Sequence, residues 1–276
     1  MIFASFASNF PRGIAASAMI QNTFLPLWLG LAWLIVGPVW LRGGDPAPDD
    51  TDLHLYLQGR FVFEKNCVLC HGRSGRGDGP WAEELIDKPR NFRVGIFKFR
   101  STPCGFLPTD DDLRNTIRSG ISGTAMPKFD TLLENDLTAV LTYIKSLSRR
   151  WKDKALHAKP VELPEVPDGL LRGTDLAARA AAGRSLFLLT CATCHGETGR
   201  GDGPAAKGLV DVWEHPIVPA NLGLPHHKSG DSMDRLFRTI ALGLDGTPMV
   251  GFRGTLQDDQ IWNLVAYIKS LERPQE

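Results

Sequence analysis

The chain opens with a long apolar run and then changes to stretches in which apolar residues recur every three or four positions. Phe24–Leu41 holds eighteen residues without a charge. At the α-helical rise that is about 27 Å, against a hydrocarbon core of about 30 Å. Trp28, Trp33 and Trp40 suit a segment whose ends meet lipid headgroups. The run predicts an uncleaved N-terminal hydrophobic helix; a cleaved signal peptide, which also has an apolar core, is the alternative. Arg12 and Arg42 flank it on both sides, so positive charge does not orient it. Further on, the period of one apolar helix face predicts helices over Asp52–Lys65, Asp110–Ser119 and Leu133–Leu147. The same pattern returns over Asp175–Thr190, Ser232–Leu242 and Leu256–Leu271. Thr51 and Thr174 stand where they would cap the first helix of each set. No segment sustains the two-residue alternation of a strand, and the fold class read from the pattern is all-α.

The return of the pattern is a tandem duplication. Cys67–Pro80 (CVLCHGRSGRGDGP) and Cys191–Pro204 (CATCHGETGRGDGP) share ten of fourteen positions at an offset of 124. Gly59-Arg60 pairs with Gly183-Arg184, and Tyr143–Leu147 and Tyr267–Leu271 both read YIKSL. The offset drifts to 130 at Asn91/Asn221 and returns to 123 at Met126/Met249, which confines insertions to the middle loops. Pro160, Pro164 and Pro167 between the copies predict an extended, semi-rigid linker. The expected organisation is 1–50 anchor or signal with a short linker, 51–150 first domain, 151–173 Pro-containing linker and 174–276 second domain.

Composition narrows the function. Lys+Arg and Asp+Glu are both 31, which argues against nucleic-acid binding. A hydrophobic content of 43% is too low for a polytopic membrane protein, and charged residues at 22% exclude a mainly disordered chain. Residues 55–150 hold 15 basic and 11 acidic residues, which favours docking of an acidic partner at the first copy. Four of the five cysteines fall in two Cys-x-x-Cys-His pentapeptides, the attachment signature of c-type haem. Two thiols three positions apart can each form a thioether to a haem vinyl group, with the adjacent histidine under the iron. A zinc knuckle would need a second ligand pair beside each site. A thioredoxin-like dithiol would need a strand before its helix.

With these residues in hand, each copy resembles a class I monohaem cytochrome c domain, over about Thr51 to Arg273. The resemblance implies two covalently attached haem c groups, one through Cys67 and Cys70 and one through Cys191 and Cys194. It implies His71 and His195 as proximal iron ligands. From the loops GTAMP and GTPMV it implies Met126 and Met249 as distal ligands, 55 and 54 positions after the histidines. It also implies that Pro80 and Pro204 offer their carbonyls to the proximal imidazoles. The second copy departs from the family's Met-Pro pairing, with Val250 after the Met and Pro248 before it.

His54, His157, His215, His226 and His227 match no ligand pattern and read as surface residues, with His226-His227 weakly placed to approach the second haem's propionates. Cys104 reads as a buried, inert thiol, and Arg90, Arg93, Lys98 and Arg100 as a basic cluster around the first site. The functional expectation is a dihaem electron carrier on the periplasmic side of a bacterial inner membrane, held by Phe24–Leu41 or soluble after signal cleavage. Its expected partners are redox proteins of a membrane-bound respiratory complex. The segment Phe97–Phe129 is similar to dihaem subunits that accompany such complexes, those of nitrate/nitrite-type molybdenum oxidoreductases first. The alternative is a dihaem enzyme, a cytochrome c peroxidase or thiosulfate dehydrogenase, which would keep an open or Cys-ligated iron.

Overall fold

The computed structural model describes residues 50–170 and 173–272. Phe24–Leu41, on which the membrane-helix expectation rests, lies outside them, and no helix among the described residues is long and apolar enough to cross a membrane. The described residues are helical, with two isolated bridges, Val210–Pro216 and Arg253–Leu256, and no strand.

Each copy is built on the crossing of its first and last long helices. In the first, α1 (Asp50–Asn66) runs into the single turn α2 (Val68–His71); α3 (Asp110–Ser119) and α4 (Glu134–Ser146) follow. The second repeats this as α5 (Gly173–Thr190), α6 (Ala192–His195), α7 (Met233–Leu242) and α8 (Asp258–Leu271). The helices α1 and α5 begin earlier than expected, so Thr51 and Thr174 fall inside the first turn. The crossing needs a residue without a side chain. A Cβ on Gly59 would lie 1.9 Å from the Ala139 carbonyl oxygen, and one on Gly183 1.9 Å from that of Asn263. Beside each glycine a fully buried phenylalanine meets the tyrosine of YIKSL, Phe63 with Tyr143 and Phe187 with Tyr267, both at 5.1 Å between ring centroids. Glycine therefore brings the backbones together and the aromatic pair fills the angle between them.

Two separate cores result. Val62, Phe63, Leu137, Val140 and Leu141 centre the first; Phe187, Phe237, Ile261, Leu264 and Val265 centre the second. The start of α3 is fixed by a capping box: the Thr109 hydroxyl accepts from Asp112 N–H at 3.1 Å, and Asp112 accepts from Thr109 N–H at 2.9 Å.

Residues 157–167 are extended, as the prolines predict, but they are pinned to both copies. Val161 N–H donates to Ser101 O at 2.8 Å, Arg253 reaches Glu162 O at 2.6 Å, and Leu163, Val166 and Leu170 pack on the second core. The copies also touch directly. Arg100 is locked onto Asp245, Lys228 lies 2.5 Å from Asp87, and the Arg90 guanidinium sits 4.3 Å over the Trp213 ring. Asp112, Asn115 and Thr116 of α3 line one cleft with Arg235, Arg238 and Thr239 of α7, the same positions one repeat later. Corresponding helices thus line opposite sides of that cleft.

Candidate haem sites

The turn α2 places its residues by spacing alone. Cys67, Cys70 and His71 stand at i, i+3 and i+4, so they share one face. In the first copy these three and Met126 line a single cavity, walled by Val62, Leu113, Ile117, Phe129 and Val140 among others. His71 is buried and stacks on Phe92, with ring centroids 4.5 Å apart. Its Nδ1–H donates to the Arg90 carbonyl at 3.0 Å, and His195 Nδ1–H donates to the Ala220 carbonyl at 3.1 Å. Since a carbonyl only accepts, this sets the tautomer and leaves each Nε2 lone pair free for a metal. Burial lowers the pKa of both imidazoles, against the raising effect of those hydrogen bonds.

Here the expectation for Pro80 and Pro204 is corrected. Both are exposed, and the imidazole partners are the residues after Pro89 and Pro219. The reason is the path of the loop. Trp81 N–H bonds Leu69 O at 3.0 Å and Ala205 N–H bonds Thr193 O at 2.9 Å, folding each Gly-Pro back along its own attachment turn. A Cβ on Gly79 would meet Leu69 O at 2.3 Å. Gly77, Gly79, Gly201 and Gly203 of these loops thus serve close approach to the chain's own backbone.

The two distal loops carry the same hydrogen bonds. Thr124 Oγ1 donates to Ile121 O at 2.8 Å and accepts from Met126 N–H at 3.1 Å; Ile121 N–H closes the loop on Met126 O at 3.1 Å. In the second copy Thr247 bonds Leu244 O at 2.7 Å and Met249 N–H at 3.2 Å, and Leu244 N–H closes on Met249 O at 2.9 Å. Neither threonine was singled out from sequence as a functional residue, although Gly-Thr recurs two and three positions before each Met.

The four attachment cysteines are half-buried. All five are free. Burial pushes the Cys67 thiol up to about 12, with a smaller push from Cys70, and burial also raises Cys191. A reactive or metal-binding thiolate needs surroundings that lower its pKa. Among the described residues no group of three or more His, Cys, Asp or Glu could hold a metal ion.

Cations predominate among the charged residues of the cavity. Lys88, Arg90 and Lys98 line it together with Lys228 from the second copy and one acid, Asp87, which pairs with Lys228. Burial, then repulsion from Arg90 and Lys228, lowers the pKa of Lys98. Apolar walls, two thiols, an oriented imidazole, a thioether sulfur and a surplus of cations together fit a haem c, whose two carboxylates would meet those cations.

Other expectations about single residues change. Arg100 does not face the cavity; it crosses to the second copy. Cys104 is exposed, not buried, and its Sγ–H donates to Asp245 Oδ1 at 3.1 Å. That bond, with some burial, raises its pKa. His226 pairs with Asp231 at 2.8 Å, while His227 is buried and meets Glu272 at 3.0 Å, so the latter is not a surface histidine.

A protein of this class, with paired attachment turns and methionine loops on a helical frame, is a c-type cytochrome. A family profile described as "Cytochrome c" matches residues 180–272, and one described as "Cytochrome C oxidase, cbb3-type, subunit III" matches residues 55–144. The chain belongs to the c-type cytochromes, with tandem cytochrome c domains that carry two covalently bound haem c groups. It is similar to a chain of the reducing HAO-like protein complex of Kuenenia stuttgartiensis: 37% identity, TM-score 0.70, over 78% of this chain and 96% of that one. It is 27% identical over 213 residues to the Cbb3-type cytochrome c oxidase subunit CcoP of Azospirillum brasilense, covering 77% of this chain and 61% of that protein. The thiosulfate dehydrogenase of Stutzerimonas stutzeri is 27% identical over 83% of this chain and 73% of its own length. The chain thus spans about three fifths of the first of these oxidase relatives.

Proposed function

We propose that the protein is a dihaem carrier passing single electrons between a donor and an acceptor protein of a respiratory oxidoreductase complex. We place it on the periplasmic side of the bacterial inner membrane, held there by Phe24–Leu41. The first domain spans 51–150 and the second 174–276. Cys67 and Cys70 attach one haem and Cys191 and Cys194 the other; His71 with Met126, and His195 with Met249, are the axial pairs. Bound there, the iron supplies one-electron chemistry between its ferric and ferrous states. The chain's own part is to orient and to shield. Arg90 O and Ala220 O aim the imidazoles, Thr124 and Thr247 hold the methionines in place, and the apolar walls exclude water. A soft thioether opposite an imidazole raises the reduction potential relative to imidazole alone.

The observation that carries this reading is the identical hydrogen-bonding of the two methionine loops. With protein donors on both sides at each site, no position is kept for a substrate. The relatives named as oxidase subunits, and the likeness to a chain of a larger complex, support a place within a complex. An enzymatic reading has the thiosulfate dehydrogenase relative behind it, but Cys104, the thiol outside the attachment motifs, is bonded to Asp245 with its pKa raised.

Absorption spectroscopy of axial-ligand variants tests the proposal. Met126→Ala and Met249→Ala should each remove about half of the far-red sulfur-to-iron band and leave both haems covalently attached. Each opened site should then bind carbon monoxide, which the unaltered reduced protein should not. Rapid carbon monoxide or peroxide binding by the unaltered protein would favour the enzyme.

A further inference from the structure

The Met249 loop is held from outside its own domain. Arg100, in the first copy, has a side chain 1% exposed, and Asp245 is 9% exposed. Arg100 Nε donates to Asp245 Oδ2 at 2.7 Å and Nη2 to Oδ1 at 2.5 Å, the bidentate geometry of a guanidinium on a carboxylate. The same Nη2 donates to Leu242 O at 3.1 Å. Leu242 ends α7, so its carbonyl has no partner within the helix and a cation there is favoured. Gly105 N–H gives Asp245 a further bond at 3.0 Å, and Ile96 lies 3.2 Å from where a Cβ on Gly246 would be. The segment Leu242–Met249, from the end of α7 to the sulfur, is thus bonded by the first copy at Leu242 and Asp245, while Gly246 lies between Ile96 of the first copy and Trp213 of its own.

Among the described residues, no side chain of the second copy makes an equivalent bond to the methionine loop of the first. Ser122, exposed, stands at the position of Asp245, and one repeat on from Arg100 the offset of 130 gives Gly230. It also has Pro127 directly after Met126, which restricts the backbone, where the second copy has exposed Val250. The loop without a proline after its methionine, which has Pro248 before it instead, is the one clamped across the interface.

We propose that Arg100 is a positioning residue for Met249. On this view the distal ligation of the second haem depends on docking of the first domain, through Arg100 and Asp245. The inference rests on Met249 being an axial ligand, as argued above.

The test uses the full-length dihaem protein with Arg100→Ala, Arg100→Lys and Asp245→Asn, read beside Met249→Ala. Arg100→Ala should lower the far-red band toward half and speed carbon monoxide binding at one haem by about tenfold or more, because a buried carboxylate loses its partner. Amide exchange at Leu244 and Thr247 should accelerate about as much, while Ile121 and Thr124 stay unchanged as an internal control. Arg100→Lys keeps the charge without the fork and should recover only part of the effect; Asp245→Asn should fall between. A potential shift alone would not count, since an unpaired Asp245 charge changes the field without opening the iron. Unchanged ligation and exchange in Arg100→Ala, or equal loss at both haems, overturns the inference. If Met249→Ala halves the band and Arg100→Ala does nothing, the inference fails and the ligand assignment stands. If Met249→Ala leaves the band intact, both fail.

Discussion

Thr124 and Thr247 show how much a single hydroxyl does beside a ligand. Each Oγ1 donates to a carbonyl three residues back and accepts from the methionine's own N–H, which ties the Met backbone to the residue two positions past the preceding helix. Thr247→Val keeps the shape and removes both bonds, at a cost of about 1–2 kcal/mol in a half-buried loop. The far-red band of the second haem should weaken and its reversible loss in urea should come at lower concentration; Thr124→Val should do the same to the first haem. An unchanged midpoint in either variant would show that the hydroxyl is incidental. At this scale the cysteines, histidines and methionines were legible, because their chemistry depends on spacing within one turn or one loop. The imidazole partner was not. Arg90 and Pro80 both follow His71 within twenty positions, and the choice between them is made by how the loop folds back on Leu69 and Pro89. The partner of Cys104 was equally hidden, since it is Asp245, a residue 141 positions away.

Among elements, the crossing of first and last helix is the feature each copy most depends on. The backbone of α1 reaches α4 only because position 59 has no Cβ, and α5 reaches α8 only because position 183 has none. Alanine at either site would push a methyl into a carbonyl oxygen, which cannot move without moving its helix. Gly59→Ala and Gly183→Ala should each destabilise their own domain by about 1–3 kcal/mol, the range for overpacking, despite alanine's better helix propensity. Calorimetry on each variant should show the loss; a stability gain would mean that the helices separate freely. The helices themselves were readable. Asp110–Ser119 is found with the expected bounds because TDDD builds a capping box at its start. What the pattern could not show is the state of the linker. Three prolines announce an extended chain, but its adhesion to both copies depends on Ser101, Arg253 and the second core, none of which is near it in sequence.

At the scale of the whole molecule, part of the first copy's basic charge is engaged in ion pairs, although the exchange between the copies, Arg100 with Asp245 against Asp87 with Lys228, leaves its surplus unchanged. Arg100 is taken by Asp245, Arg114 and Arg118 by Glu134, and Lys145 by Asp110. Part of that charge therefore holds the structure together instead of waiting for a partner, and the two domains, set apart in sequence by the Pro-containing linker, are joined by a buried ion pair. Its pH dependence follows from Asp245. Burial raises the carboxyl's pKa, but the bonds from Arg100, Cys104 and Gly105 outweigh it, and the net shift is downward. A carboxylate with a lowered folded-state pKa contributes its full stability above its ordinary value, about 3.9, and loses it as pH falls below that through the lowered value. Arg100 stays charged throughout. Near neutrality the two domains should therefore unfold in one coupled calorimetric transition. Below about pH 4 the coupling should weaken and two transitions should separate, the second domain losing its far-red band first. Asp245→Asn at neutral pH should reproduce the acid behaviour without acid. Should that variant still unfold in a single transition, while acid separates the domains of the unaltered protein, the pH dependence would belong to other carboxylates and not to this pair.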